Sequence, residues 1–248
     1  MAPTALTREQ YLDHLARDIE AMAAALEHGP LDAPVPWCGR WTLADLGAHL
    51  GGVHRWATGA VRHQTPAGAE QEAAADPAPQ DPASLAPWLR DGGVRLLAAL
   101  HQLDLDGPTW HPFPIAKVGA VWPRRQAQEA AVHRWDAEHA IGAVATIDPA
   151  LAADGIDEYF FLALPRLIRR EGVEAPAVPL LVRTTDTEDR WLVGARDGTI
   201  AELDGGDAAT ELVGAAQDVL LTLWRRPVTA GAVTVSGATS EWLDLGGM

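Results

Sequence analysis

The stretch RQAQEAAVHRWDAEHAIG, residues 125–142, decides how this chain is read. It reads as a helix over roughly residues 124–142. Residues four apart on a helix are turned by only ~40° about the axis, so Glu129 and His133 project from one face, close enough to share a metal ion. The tetrapeptide VHRW inside it also occurs at residues 53–56. There Leu50 stands four residues before His54, where Glu129 stands before His133. The flanks of the two copies do not match, so they are not an architectural repeat. The spacing alone is a weak signal: 9 histidines and 14 glutamates in 248 residues give roughly half an accidental Glu-x-x-x-His. The plain alternative is a surface carboxylate beside a half-buried histidine, and a third ligand from another helix is what would separate the two.

Working outward, WTLADLGAHLGGVHRWATGAVRH (residues 41–63) offers three histidines. Thr42 suits an N-cap and Asp45 stands three residues later, a capping-box arrangement that fixes where the helix starts and hence its register. Leu43, Leu46, Leu50 and Val53 mark the core-facing side, and His49 lies at its edge. His54 is rotated ~140° from His49, and His63 lies more than ~20 Å further along the axis. His49 is therefore the one oriented to meet Glu129 and His133. Two histidines and a glutamate from two facing helices make a three-ligand set with a fourth position open, the pattern of a catalytic zinc site. Copper and iron suit this donor mix less well. Asp136, one turn beyond His133 on the same side, reads equally as a group orienting a ligand imidazole or as a solvated carboxylate. His139 is turned ~120° from His133 and is left out of the set. Cys38, in the loop before the histidine-bearing helix, reads as an inert loop or core residue.

The rest of the chain supplies a frame for this set. Residues 7–28 read as a helix, with Leu12, Leu15, Ile19, Met22 and Leu26 in alternating three- and four-residue steps. Residues 65–83, rich in Ala, Pro and acid, read as a mobile crossover, and residues 85–103 as another helix. The loop TWHPFPIAKVGAVW (109–122) offers Trp110, Phe113 and Trp122, either as a wall or lid beside a site or as a plug for the bundle end. A further helix over about 150–170 should kink at Pro165. From residue 179 the pattern alternates apolar and polar with turn signals, as hairpin strands do. ATELVGAAQDVLLTLWRR (209–226) reads as one more helix and AVTVSG (232–237) as a last strand. The expected fold class is α+β: a helical bundle over residues 1–174, then a small α+β domain over 175–248.

Bulk properties narrow the partners. The 19 basic and 34 acidic side chains give a formal charge of −15, which repels phosphate backbones and anionic lipid, so nucleic acid and membrane are set aside. Cys38 is the single cysteine, which forbids an intrachain disulfide and suits a reducing cytoplasm. The N-terminus lacks the charged start and apolar run of a signal peptide, and no apolar run reaches the ~18 residues of a membrane span.

Two segments, WCGRWTLADLGAHLGGV (37–53) and RQAQEAAVHRWDAEHAIG (125–142), resemble the signature helices of the mycothiol-dependent maleylpyruvate isomerase-like family, a branch of the DinB-like metalloenzyme bundles. ELVGAAQDVLLTLWRR (211–226) resembles the helix of that family's sterol-carrier-like C-terminal domain. The resemblance implies a DinB-like four-helix bundle with Zn²⁺ held by His49, Glu129 and His133. It also implies an arginine of the C-terminal domain used near the zinc, Arg225 or Arg226, and mycothiol as thiol cosubstrate. Zinc would make the thiol a thiolate at neutral pH. Adding to an electron-poor double bond, allowing rotation and leaving again, that thiolate would convert a cis unsaturated acid such as maleylpyruvate into its trans isomer. The same thiolate could instead undergo S-transfer to a small electrophilic substrate. Two other readings stay open: a hydrolase or lyase in which zinc activates water, and a non-catalytic protein that binds a ligand or partner.

Overall fold

A computed structural model describes residues 6–205, 208 and 210–246, and the chain is α+β. Its described residues divide into two compact units, one of residues 7–111 and 116–146, the other of residue 6, residues 112–115 and those from 147 onward.

The first unit is a helical bundle. Helix α1 (Arg8–His28) starts at Thr7, whose side chain accepts from the Gln10 backbone while Gln10 reaches back to the Thr7 N–H at 2.8 Å. Its predicted stripe, Leu12 to Leu26, is buried. Helix α2 (Leu43–His63) begins with the expected box: Thr42 accepts from the Asp45 backbone and the Asp45 carboxylate accepts from the Thr42 N–H. Residues 65–83, expected as a mobile crossover, instead contain helix α3 (Pro66–Ala75). Thr65 caps it, its hydroxyl accepting from the Gly68 N–H at 3.0 Å, and Pro66 occupies the first turn, where no N–H is needed. The helix lies so close to α2 that a Cβ on Gly59 would stand 2.6 Å from the Gly68 carbonyl oxygen. Helices α4 (Leu85–Gln102) and α5 (Val121–Ala140) complete the bundle. α1 packs on α4 and α5, and α2 packs on α4 and α5. α5 is buried nearly all round, which is why its sequence shows little amphipathic pattern. Trp122, expected as part of a wall, lid or plug, is fully buried in the first turn of α5, where its indole donates to Thr109.

The second unit begins with α6 (Pro149–Glu158), a π-helical turn (Tyr159–Ala163) and α7 (Leu164–Glu171). One helix kinked at Pro165 was the expectation. The widened turn sits just before the proline, which then falls in the first turn of α7 with no hydrogen bond to break. A five-stranded sheet follows, with strands β1 (Leu180–Thr184), β2 (Arg190–Arg196), β3 (Thr199–Glu202), β4 (Thr210–Gly214) and β5 (Val233–Ser236) in the order β3-β2-β1-β4-β5. Only β1 and β4 pair in parallel. The helix expected from residue 209 begins only at α8 (Ala216–Leu223). Residues 210–214 are a strand, because Thr210, Leu212 and Gly214 are buried in alternation beside β1, and residue 209 lies outside the described residues. α6 packs on α8 and α7 on β3, so the helices of 149–171, expected in the bundle, group with the sheet, and the compact units part near residue 146 and not at 174. Among the described residues no helix is long and apolar enough to cross a membrane.

Candidate metal centre

Three side chains of the bundle meet. One donor atom from each of His49, Glu129 and His133 lies within 4.8 Å of the other two. His49 Nε2 is 3.2 Å from Glu129 Oε1, and His133 Nε2 is 3.4 Å from the same oxygen. The capping box of α2 sets His49 in register, and the four-residue step on α5 stacks Glu129 on His133. Side-chain exposure rises from 4% for His133 through 19% for Glu129 to 32% for His49, so the cluster is closed behind His133 and open on the His49 side.

Glu129 divides its oxygens. Oε1 faces both imidazoles, while Oε2 accepts an ion pair from Arg125 one turn earlier. Burial alone would push the Glu129 carboxyl upward, but the Arg125 guanidinium and hydrogen bonds from His133 and His49 outweigh it and hold the pKa well below the usual range. Behind the cluster, Asp136 is fully buried and takes Oδ2 to 3.0 Å from His133 Nδ1. Trp37 donates its indole N–H to Asp136 Oδ1 at 2.6 Å, and the Cys38 thiol donates to Oδ2 at 3.5 Å. His133 itself is lowered by burial, yet Asp136 and Glu129 together raise it to about 9. Of the two readings open for Asp136, the orienting one describes its surroundings; it is not a solvated carboxylate.

The loop 29–42 contributes more than its composition suggested. It carries a tight turn at Pro36–Cys38 that sets Trp37 and Cys38 against Asp136, and it brings the Trp41 ring to 4.8 Å from the His49 ring. Arg125 is likewise a contact that the sequence reading lacks, although its four-residue spacing from Glu129 is visible in the quoted stretch.

The donor set can be tested against zinc. Two ligands about 2.1 Å from a tetrahedral ion stand about 3.4 Å apart. The edges from Glu129 Oε1 to the two imidazoles, 3.2 and 3.4 Å, match that spacing. With Nδ1 of His133 turned to a carboxylate, Nε2 is the nitrogen left for an ion, the carboxylate–histidine pairing common at zinc sites. The residues fit the group.

Other sequence candidates fall elsewhere. His54 is fully buried and is not one of the three donors, and neither of its ring nitrogens has a hydrogen-bond partner. His139 stacks on Trp135 with ring centres 4.5 Å apart. Arg225 and Arg226 follow α8 in the second unit. Arg225 is exposed and left-handed (φ 60°); Arg226 is buried and donates to the Trp224 carbonyl at 2.9 Å. Phe113 is buried and groups with the same second unit.

The model of the mycothiol maleylpyruvate isomerase N-terminal domain family matches residues 12–138, just over half of the chain. The chain belongs to this family. The match spans α1 to α5 and contains His49, Glu129 and His133. A crystal structure of the mycothiol-dependent maleylpyruvate isomerase is similar to this chain with a TM-score of 0.63 at 15% identity, covering 93% of each chain. That of a histidine-to-alanine mutant of the isomerase gives 0.61 at the same identity and coverage. At that identity the likeness establishes the fold, and it reaches well beyond the bundle. A comparison with curated proteins found no match.

Proposed function

We propose that this chain is a zinc-dependent enzyme that uses mycothiol as its nucleophile to isomerise a small cis unsaturated acid such as maleylpyruvate. The observation that carries the reading is the His49–Glu129–His133 cluster at zinc spacing inside a bundle of this family. Bound by these three residues, zinc would supply a Lewis acid at its fourth position that keeps a thiol ionised at neutral pH.

The chain's own residues have distinct parts. Arg125 keeps Glu129 ionised, and Asp136 fixes the His133 ring with Nε2 toward the donor cluster. Trp37 and Cys38 hold Asp136 in turn. A thiol ionised there would supply a nucleophile for reversible addition to the carbon–carbon double bond of the acid, the chemistry by which a cis acid could become its trans isomer. A reducing cytoplasm suits a free-thiol cosubstrate and the single cysteine.

The test is turnover of maleylpyruvate by the zinc-loaded protein with and without mycothiol. We expect conversion that requires the thiol and returns it unconsumed. Stoichiometric consumption of the thiol would make the protein an S-transferase. Turnover indifferent to thiol would overturn the mechanism in favour of a zinc-activated water.

A further inference from the structure

The helix seam that carries the three-ligand cluster continues into a second feature. Later residues of α2 meet earlier residues of α5: His49 lies against Glu129, and Trp56 lies against Trp122 with ring centres 5.8 Å apart. The two helices are therefore antiparallel here. Trp56 is seven residues beyond His49, so it presents the same face about 10.5 Å along the axis. Its ring also meets Trp110, 5.7 Å away edge to face. Trp122 is fully buried behind this pair, whereas Trp56 and Trp110 are half-buried. The Trp56 indole N–H donates to Glu70 Oε1 at 3.0 Å, which places a carboxylate at the rim.

Between the two levels one position of α2 faces open space. A Cβ added to Gly47, Gly51 or Gly59 of α2 would collide with a neighbouring helix, whereas one added to Gly52 would meet nothing within 4 Å. Gly52 lies three residues from His49 and four from Trp56, on the path from one to the other. On α5, Gln126 shares the face of His133 at a spacing of seven residues, and its buried side-chain carbonyl has no hydrogen-bond partner. Along this face of α2 the donor cluster, the open position at Gly52 and a pair of half-buried indoles with a carboxylate beside them thus follow one another.

We infer that this surface binds the polyol part of the thiol cosubstrate, an inference that rests on the function proposed above. The chemistry favours a neutral, hydroxyl-rich ligand. Indole faces take the C–H faces of sugar and cyclitol rings, and Glu70 accepts from hydroxyls. Mycothiol is a cysteine amide of an amino sugar joined to inositol. With its sulfur at the cluster, its extended amide and first ring span the separation between His49 and Trp56.

The experiment compares mycothiol with N-acetylcysteine, which has the thiol but no polyol, in wild type, Trp56→Ala, Trp56→Phe and Trp110→Ala. Zinc content is measured for each. We expect Trp56→Ala and Trp110→Ala to raise the KM for mycothiol about tenfold relative to that for N-acetylcysteine, and Trp56→Phe to restore most of it. In parallel, S-methyl mycothiol, which cannot form a thiolate, is titrated calorimetrically into the metal-free and zinc-loaded wild type and into Trp110→Ala. We expect binding to both wild-type forms, about tenfold weaker in the variant. Equal loss for both thiols, or S-methyl mycothiol binding that ignores Trp110, would overturn the inference. The titration does not depend on turnover: binding at the indoles without thiol-dependent isomerisation would support this surface while sinking the isomerase reading.

Discussion

The two VHRW tetrapeptides are identical in sequence and opposite in use. His54 is fully buried with both ring nitrogens unpaired, and burial, helped by Arg55, draws its pKa down to about 4. His133 is equally buried, yet it sits between Asp136 and Glu129 and is held up to about 9. The arginines, by contrast, do the same work in both copies. Arg55 donates to Asp76 and to the Gly51 and Trp88 carbonyls, and Arg134 donates to Asp18, Glu138 and the Thr146 carbonyl. What separates the histidines is their company one turn to either side: Leu50 and Ala57 in the first copy, Glu129 and Asp136 in the second. A short motif names a backbone position, and its helical neighbours assign the chemistry.

The most direct way to break the comparison is at His133. His133→Ala should reduce zinc from one ion per chain to almost none, measured on the purified protein, whereas His54→Ala should leave it at one. A folded His133→Ala protein that keeps stoichiometric zinc would remove Glu129 and His133 from the proposed mechanism. A smaller effect is expected at Asp136. Asp136→Asn keeps the shape but loses the charge facing Nδ1, and chelator competition should show zinc affinity weakened about 10- to 100-fold.

The third test sharpens the contrast through pH. His54 has a folded pKa near 4 against an ordinary value of 6.5, so the unfolded chain takes up the proton first. Its neutral form stabilises the fold fully above pH 6.5, and that contribution is lost as pH falls toward 4. Between pH 7 and pH 5 the loss should be about 2 kcal/mol. Urea unfolding of His54→Leu should show stability falling that much less over this interval than in wild type. Identical pH slopes would contradict the buried, unpaired state of this imidazole.

Much of this was legible from local signals. Capping boxes at Thr7 and Thr42 and periodic leucines mark α1 and α2, because helix ends and apolar stripes depend on nearby residues. The register they impose is what points His49 toward α5. The failures have physical causes too. Helix α3 hid inside an alanine- and proline-rich stretch, although Thr65-Pro66 is itself a start signal. The helical pattern of AAQDVLLTL, directly after β4, extends the expected helix back over the strand, and the pairing of β4 with β1 is a contact that no local pattern contains. Trp37 reaches Asp136 across 99 residues of sequence, so its part in the centre was invisible until the loop was folded.

The ion pair between Arg125 and Glu129 has a consequence for which ligands the centre would accept. Glu129 and Asp136 each bring a negative charge and Arg125 one positive, all at most sparingly exposed. A divalent ion would leave this assembly with a single positive charge, which an anionic ligand, a thiolate or a hydroxide, cancels and a neutral molecule does not. Burial disfavours uncompensated charge. Electroneutrality would thus favour an anionic ligand over a neutral one at this centre, in a chain whose net charge is −15.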